Sequence, residues 1–515
     1  MYRENPFGNP DGARADLKEV EESFITYYPY GLNFQKDKSN ILNKRVIVGA
    51  KGSGKTVYLR KIQSILKERA ENNPSIYVDN DIEQNLNCTD RVIRFCDFFS
   101  RQMLSEKWSM VWQIAILLTL TNKLMFNNRL QKYIDDTERN SIVSLLQGTG
   151  LVTQDDIRNR IEYSLYSCFQ IIIYEAETKN RINRILENRN WLSLRSKLKD
   201  LLKTSPEIYL FLDSIDLEYE HAPLHWLMCQ KGLFYAVLSF LQEGVLGEKL
   251  HLIITLRDNV FTSILRSEHS TKFSSESHVF PLIWNTPNIR SFLHQKVSSL
   301  DDCYFIDEIN NGKNVSSWLS ITNIENEYSK TEDISSFIIR HTRMVPRDVI
   351  IVCNELAKLH AELTVNHNTN IPDKIKEIVY RYSKLFGEEL LTICAKNIAA
   401  NEMPNGAGQN DYSDGFTANQ YYHESKYLKL KKLLFKHIQT NEFGMEVIEN
   451  LEKSGEEVFG NSSYIVDVLW QNGVIGYGER NQSVYYGIGY SNDIFMPRNK
   501  CKYFLCACVA LMILY

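Results

Sequence analysis

The sequence predicts an α/β fold, a parallel sheet wrapped by helices, on three observations. A short apolar run, Val46-Ile47-Val48, passes directly into a glycine-rich turn and then into a helix-forming stretch, Val57 to Arg69. A second apolar run, Ile208-Tyr209-Leu210-Phe211-Leu212, ends in Asp213. A third, Leu250-His251-Leu252-Ile253-Ile254-Thr255, ends in Leu256-Arg257-Asp258. Apolar runs that do not alternate with polar residues are what strands buried on both faces require, and such strands belong to parallel sheets covered by helices.

The turn after the first run carries the chemistry. It reads Gly49-Ala50-Lys51-Gly52-Ser53-Gly54-Lys55-Thr56, the G-x-x-x-x-G-K-[ST] spacing of a phosphate-binding loop. Glycines at 49, 52 and 54 let successive backbone N–H groups converge without a Cβ in the way, and the same amides open a helix. Lys55 is expected to reach the β- and γ-phosphates of a nucleoside triphosphate, and the Thr56 hydroxyl to complete a Mg²⁺ shell.

Further parts of a nucleotide machine follow in order. Asp213 ends a buried strand where a metal-holding carboxylate is needed, and Asp216 and Glu218 come shortly after it. Arg257, at the end of the third strand, reads either as a group beside the terminal phosphate or as a surface arginine paired with Asp258. Met344-Val345-Pro346-Arg347-Asp348 reads as a helix start, with Pro346 in the first turn and Arg347 placed to reach phosphate from a second subdomain.

This order of motifs resembles the STAND-type signalling ATPases and their AAA+ relatives of the origin-recognition group, over about residues 20 to 490. The resemblance implies ATP and Mg²⁺ as ligands, with Lys55 and Thr56 handling phosphate and magnesium and Asp213 as the Walker B aspartate. Asp216 matches the second acidic position, Arg257 the sensor arginine of the STAND pattern, and Arg347 the second sensor of the origin-recognition group. It also implies a sensor or regulator, as in anti-phage defence, that acts through a protein partner or by homo-oligomerisation on activation. Many hydrolytic relatives have an acidic residue directly after the Walker B aspartate, and here Ser214 occupies that position. A water-activating carboxylate must then be Asp216 or Glu218, and slow, switch-like hydrolysis is expected. The alternative is a DNA-binding AAA+ ATPase of the origin-recognition type.

The fold class expected is therefore a P-loop NTPase parallel-sheet core with a large helical insertion, a helical lid subdomain and a C-terminal winged-helix-like module. The core begins in 1–87, with a second strand at Ile76-Tyr77-Val78-Asp79, and resumes over 204–284, ending in the strand Val279 to Trp284. Between them, 88–203 shows three- and four-residue apolar spacing and almost no proline, and reads as a helical insertion. Its basic run Arg195, Lys197, Lys199 and Lys203 reads as a solvated helix face. The lid is 285–400, opened by Asn285-Thr286-Pro287, and a polar linker covers 401–422. In 423–490, helices at Lys426 to His437, Val447 to Leu451 and Ser463 to Gln471 precede a hairpin, Val474 to Tyr477 and Val484 to Ile488, joined through Arg480. The third helix carries no Lys or Arg, which argues against a major-groove reader.

Composition agrees with this organisation. A length of 515 residues predicts about three domains. A net charge of −4 gives no global drive toward nucleic acid. Ten scattered cysteines without a C-x₂-C pair, and a polar opening from Met1 to Arg14, predict a reduced cytoplasmic protein. Cys501, Cys506 and Cys508 read as packing residues, and His221 and His225 as surface histidines. Two apolar stretches, Trp108 to Leu120 and Tyr503 to Tyr515, fall short of the roughly 20 residues a membrane span needs. The second makes 491–515 an apolar tail that covers this protein's own core or a partner's.

Overall fold

The computed structural model describes residues 3–18, 43–83, 88–153, 155, 162–213, 222–266, 277–305, 312–363, 370–401, 415–460, 464–478, 485–486, 495–500 and 502–514. Five parallel strands form the central sheet: β1 (Val46–Gly49), β2 (Ile76–Glu83), β3 (Glu207–Leu212), β4 (Leu250–Arg257) and β5 (Val279–Leu282), in the order β2-β3-β4-β1-β5. All residues of β1 and β4 are buried, as two-face coverage requires. Because β4 lies between β1 and β3, residues after all three strands gather at one sheet edge. That edge is where ligands bind in open parallel sheets.

Helix α1 (Lys55–Asn72) follows the glycine-rich turn and covers one face. The other face is covered by the insertion: α2 (Thr89–Asp97), α3 (Arg101–Phe126), α4 (Asp136–Gly148), α5 (Leu165–Glu175), α6 (Lys179–Leu186) and α7 (Asn190–Leu202). These helices share one hydrophobic core with β1, β3 and β4, so the insertion completes the sheet and is not a satellite. The apolar stretch at Trp108 belongs to α3, which at 26 residues is long and apolar enough to cross a membrane; 78% of its most apolar window is buried inside the protein. It crosses α8 (Pro223–Leu241) at Gly232, where a Cβ would lie 2.7 Å from the Trp108 carbonyl carbon.

Two sequence expectations are corrected here. The basic run on α7 is a solvated face only in part: Arg195 is mostly buried against Glu243, Lys197 and Lys199 are half-exposed beside Glu138 and Glu243, and Lys203 is exposed beside Asp200. His225 is buried in the first turns of α8, where the apolar surroundings exclude water, and is not a surface histidine. His221 lies outside the described residues.

After α9 (Val245–Lys249), β4 leads into α10 (Asp258–Leu265). The lid follows: α11 (Thr286–Ser298), α12 (Val315–Leu319), a small antiparallel pair β6 (Asn323–Glu325) and β7 (Thr331–Asp333), α13 (Ile334–Arg340), α14 (Pro346–Leu363) and α15 (Ile371–Asn401). Asn285 caps α11 by accepting from the Asn288 N–H, with Pro287 in the first turn, as the sequence predicts.

The C-terminal module holds α16 (Gly415–His437), β8 (Glu442–Phe443), α17 (Met445–Phe459), α18 (Ile465–Gln471), β9 (Ile475–Tyr477), β10 (Tyr485–Tyr486), β11 (Tyr503–Leu505) and α19 (Ala507–Ile513). The linker expected over 401–422 is shorter than that, because α16 already begins at Gly415. The expected hairpin forms, Tyr485 opposite Tyr477. The tail is not separate from the module: β11 lies between β9 and β8 in a four-stranded sheet, and α19 buries Cys508, Val509 and Ala510 against the lid. Apolar residues at the chain end thus complete this protein's own core. Cys506 and Cys508 pack in it, and Cys501 and Arg480 lie outside the described residues.

Candidate functional site

The site is built on the turn between β1 and α1. Gly52 and Gly54 have φ of 88° and 97°, the left-handed region that other residues enter only with strain. At Gly49 a Cβ would sit 2.5 Å from Ser53 Oγ, so the first glycine is a matter of space. Trp284, just beyond β5, pins the turn by donating its indole N–H to Ser53 O at 2.9 Å. Gly54 is the N-cap of α1 and gives it no side-chain cap, so the first backbone N–H groups of the helix open toward the turn. The buried Lys55 ammonium donates to Gly49 O at 2.9 Å and Ala50 O at 3.1 Å.

Below the turn, Asp213 follows β3 directly and is 1% exposed. Its carboxylate accepts from Thr56 Oγ1 at 2.7 Å and from Thr255 Oγ1, on β4, also at 2.7 Å. The insertion reaches the same residue, since Tyr166 on α5 donates its hydroxyl to the Asp213 carbonyl at 3.0 Å. A buried carboxylate ringed by hydroxyls is an oxygen donor set of the kind hard divalent cations take. The donor set and the Cβ-free cradle fit a magnesium-bound triphosphate: Thr56 and Asp213 for the metal, the turn and Lys55 for phosphate.

The helices of 286–401 pack against the turn from the other side. The Arg347 N–H, in the first turn of α14, donates to Gly52 O at 3.3 Å, while its guanidinium turns to Pro10 O at 3.3 Å. Arg347 therefore meets the turn through its backbone N–H and the methylenes of its side chain, which pack at Gly52, while its charged end points to Pro10. Arg343 takes the neighbouring position: Met344 adopts a left-handed φ of 56°, and Arg343 grips the fully buried Asp348 with two hydrogen bonds of 2.8 and 2.7 Å. Lys51 pairs with Glu389 of α15 at 3.0 Å. A small cleft of about 40 Å³ opens here, lined by Ala50, Lys51, Arg257, Asp258 and Asn259, by Arg343 and Asn397, and by Gln471 at the end of α18 and Asn472 just beyond it.

Arg257 is 6% exposed, which removes the surface-arginine reading. Burial pushes the adjacent Asp258 carboxyl up from its ordinary value, with Lys55 and Arg257 opposing that shift. Of the residues singled out in the sequence, Lys55, Thr56 and Asp213 are brought together and Arg257 lines the cleft. Asp216, Glu218 and Ser214 lie outside the described residues. Thr255, Arg343, Glu389 and Asn397 were missed. Thr255 had a legible signal, a hydroxyl in an otherwise apolar strand.

The N-terminal segment borders the site as well. Arg60 of α1 donates to Gly12 O at 2.7 Å and Ala15 O at 2.8 Å, and Asn354 of α14 holds Phe7 N and Gly8 O, both at 3.0 Å. Fold and site together give an α/β protein with a glycine-rich turn, a buried carboxylate beneath it and the helices of 286–401 packed against it. No protein-family model, curated protein or solved structure matches the chain.

Proposed function

We propose that this chain is a P-loop ATPase that binds and slowly hydrolyses ATP as a molecular switch, in the manner of STAND-type regulators. The observation that carries this reading is the Asp213 carboxylate held by both Thr56 and Thr255 directly under the Gly49–Thr56 turn. A Mg²⁺ ion bound by Thr56 and Asp213 would neutralise phosphate charge and orient the terminal phosphate. Lys55 exchanges its two carbonyl acceptors for phosphate oxygens, and Thr255 fixes which way Asp213 points. Arg257 supplies positive charge from the end of β4, a role like that of an arginine finger. Asp216 or Glu218 orients the attacking water.

The switch follows from contacts that cross domains. A ligand shifts a conformational equilibrium only by as much as it favours one state. Here the core contributes Asn259, the lid Asn397 and the C-terminal module Asn472, joined by amide hydrogen bonds of 3.0 and 3.3 Å at the cleft. A change at Arg257, two residues from Asn259, is thereby felt in all three. We extend the reading to protein-partner regulation and self-association on activation on the strength of the family resemblance, and to a cytoplasmic setting on the strength of the cysteine pattern and the polar opening.

One observation favours the alternative, a DNA-binding ATPase of the origin-recognition type. On α16, Lys429, Lys432 and Lys436 are exposed beside Phe435, which is 63% exposed. Against it, α18 has no basic residue, and α17 exposes Glu446, Glu449, Glu456 and Glu457. ATP turnover by the purified protein, alone and with duplex DNA, single-stranded DNA or RNA, decides between them, with Lys55→Ala as the blank. Slow turnover indifferent to nucleic acid supports the switch; stimulation by nucleic acid supports the alternative.

A further inference from the structure

Glu389 stands on α15 and spans two cations that belong to different parts of the protein. One carboxylate oxygen lies 3.0 Å from Lys51 Nζ in the turn, the other 3.0 Å from Arg343 Nη1 in the lid. Both cations line the cleft that also holds Ala50 and Arg257. Partial burial pushes the Glu389 carboxyl up, but Arg343 and Lys51 outweigh it and hold the group down at about 2, so it is ionised at neutral pH. The α15 backbone beside it is also in close contact with α19. Two residues earlier, at Gly387, a Cβ would lie 2.5 Å from the Cys508 carbonyl oxygen, so α19 seats directly on the α15 backbone.

We propose that Glu389 is a carboxylate latch: it occupies, for Lys51 and Arg343, the place a nucleotide phosphate takes, ties the lid to the turn, and opposes triphosphate binding until phosphate displaces it. The proposal rests on the reading of the turn as a nucleotide site. A residue with only a packing role would not distinguish ligands by their phosphate charge. An anion facing the phosphates does, because repulsion grows with the number of phosphates.

The test is the affinity of MgATP and MgADP for wild type, Glu389→Gln, Glu389→Ala, Lys51→Ala, the Lys51→Ala/Glu389→Gln double variant and a Lys55→Ala blank. Thermal melting of each confirms that it is folded. Removing the charge should tighten MgATP about fivefold or more, and MgADP less. The gain should be smaller in the Lys51→Ala background, where half of the latch is already gone. Unchanged or weaker MgATP binding by folded Glu389→Gln and Glu389→Ala, with wild type binding normally, would overturn the latch. Failure of wild type itself to bind either nucleotide would overturn the nucleotide-site reading, and the latch with it.

Discussion

Thr56 Oγ1 donates to Asp213 Oδ2 at 2.7 Å across 157 residues of chain, so the residue that ends the glycine-rich motif and the residue just after β3 share one hydrogen bond. The intervening insertion is what makes the separation so long, yet it packs on the same sheet and donates Tyr166 to the same aspartate. Asp213→Asn keeps the shape and removes the charge. We expect ATP turnover to fall about a hundredfold or more, with the fold intact. Single-turnover measurement alongside thermal melting checks this, and Thr56→Ala should act in the same direction.

Thr255→Ala should separate positioning from binding. It leaves Asp213 buried with one donor fewer, which costs about 1–3 kcal/mol of stability. Turnover should fall by less than in Asp213→Asn, because the carboxylate remains. Melting temperature and turnover measured on the same preparation show both effects.

Arg257→Ala should lower turnover while leaving MgADP affinity near that of wild type, which follows from the role proposed for its charge at the terminal phosphate. Arg257→Lys should not restore full activity, because a buried guanidinium is planar and forked and an ammonium is neither. Comparing MgADP affinity with turnover in both variants tests this. Equal losses in affinity and turnover would show a role limited to binding or packing.

His225 predicts a pH dependence of stability. Burial pushes its imidazole down from 6.5 to about 4. Between those values the unfolded chain carries the proton and the folded chain does not. Its contribution is therefore fully present above pH 6.5 and is lost as pH falls toward 4, by about 3 kcal/mol in total. Thermal melts of wild type and His225→Gln from pH 7 to about 4.5 should show a shallower acid slope in the variant.

Much of the core was legible because local patterns decide it. The β1 run, the glycine spacing, Asp213 at a strand end and Pro346 at a helix start all survive as written. What was not legible depends on which elements become neighbours. Thr255 matters only because β4 inserts between β1 and β3, which no short window of sequence encodes. Arg343 and Glu389 meet only because α14 and α15 dock beside the turn. The tail read as separate because β11 is three residues long, too short for a period to register, and its partners β8 and β9 lie far back in the chain.

The insertion offers a packing prediction. At Gly232, α8 passes so close to α3 that a methyl group would meet the Trp108 backbone at 2.7 Å. Gly232→Ala must push the helices apart and should destabilise the protein by about 1–3 kcal/mol, despite alanine's better helix propensity. Denaturant unfolding measures it.

The central claim is that the Gly49–Thr56 turn binds nucleotide phosphate with Lys55 as its principal cation. The measurement that tests it most directly is calorimetric titration of MgATP into wild type and Lys55→Ala, both shown to be folded. The account predicts saturable one-site binding to wild type and its loss in the variant. Equal affinity in the two proteins, or no binding to wild type, would contradict it.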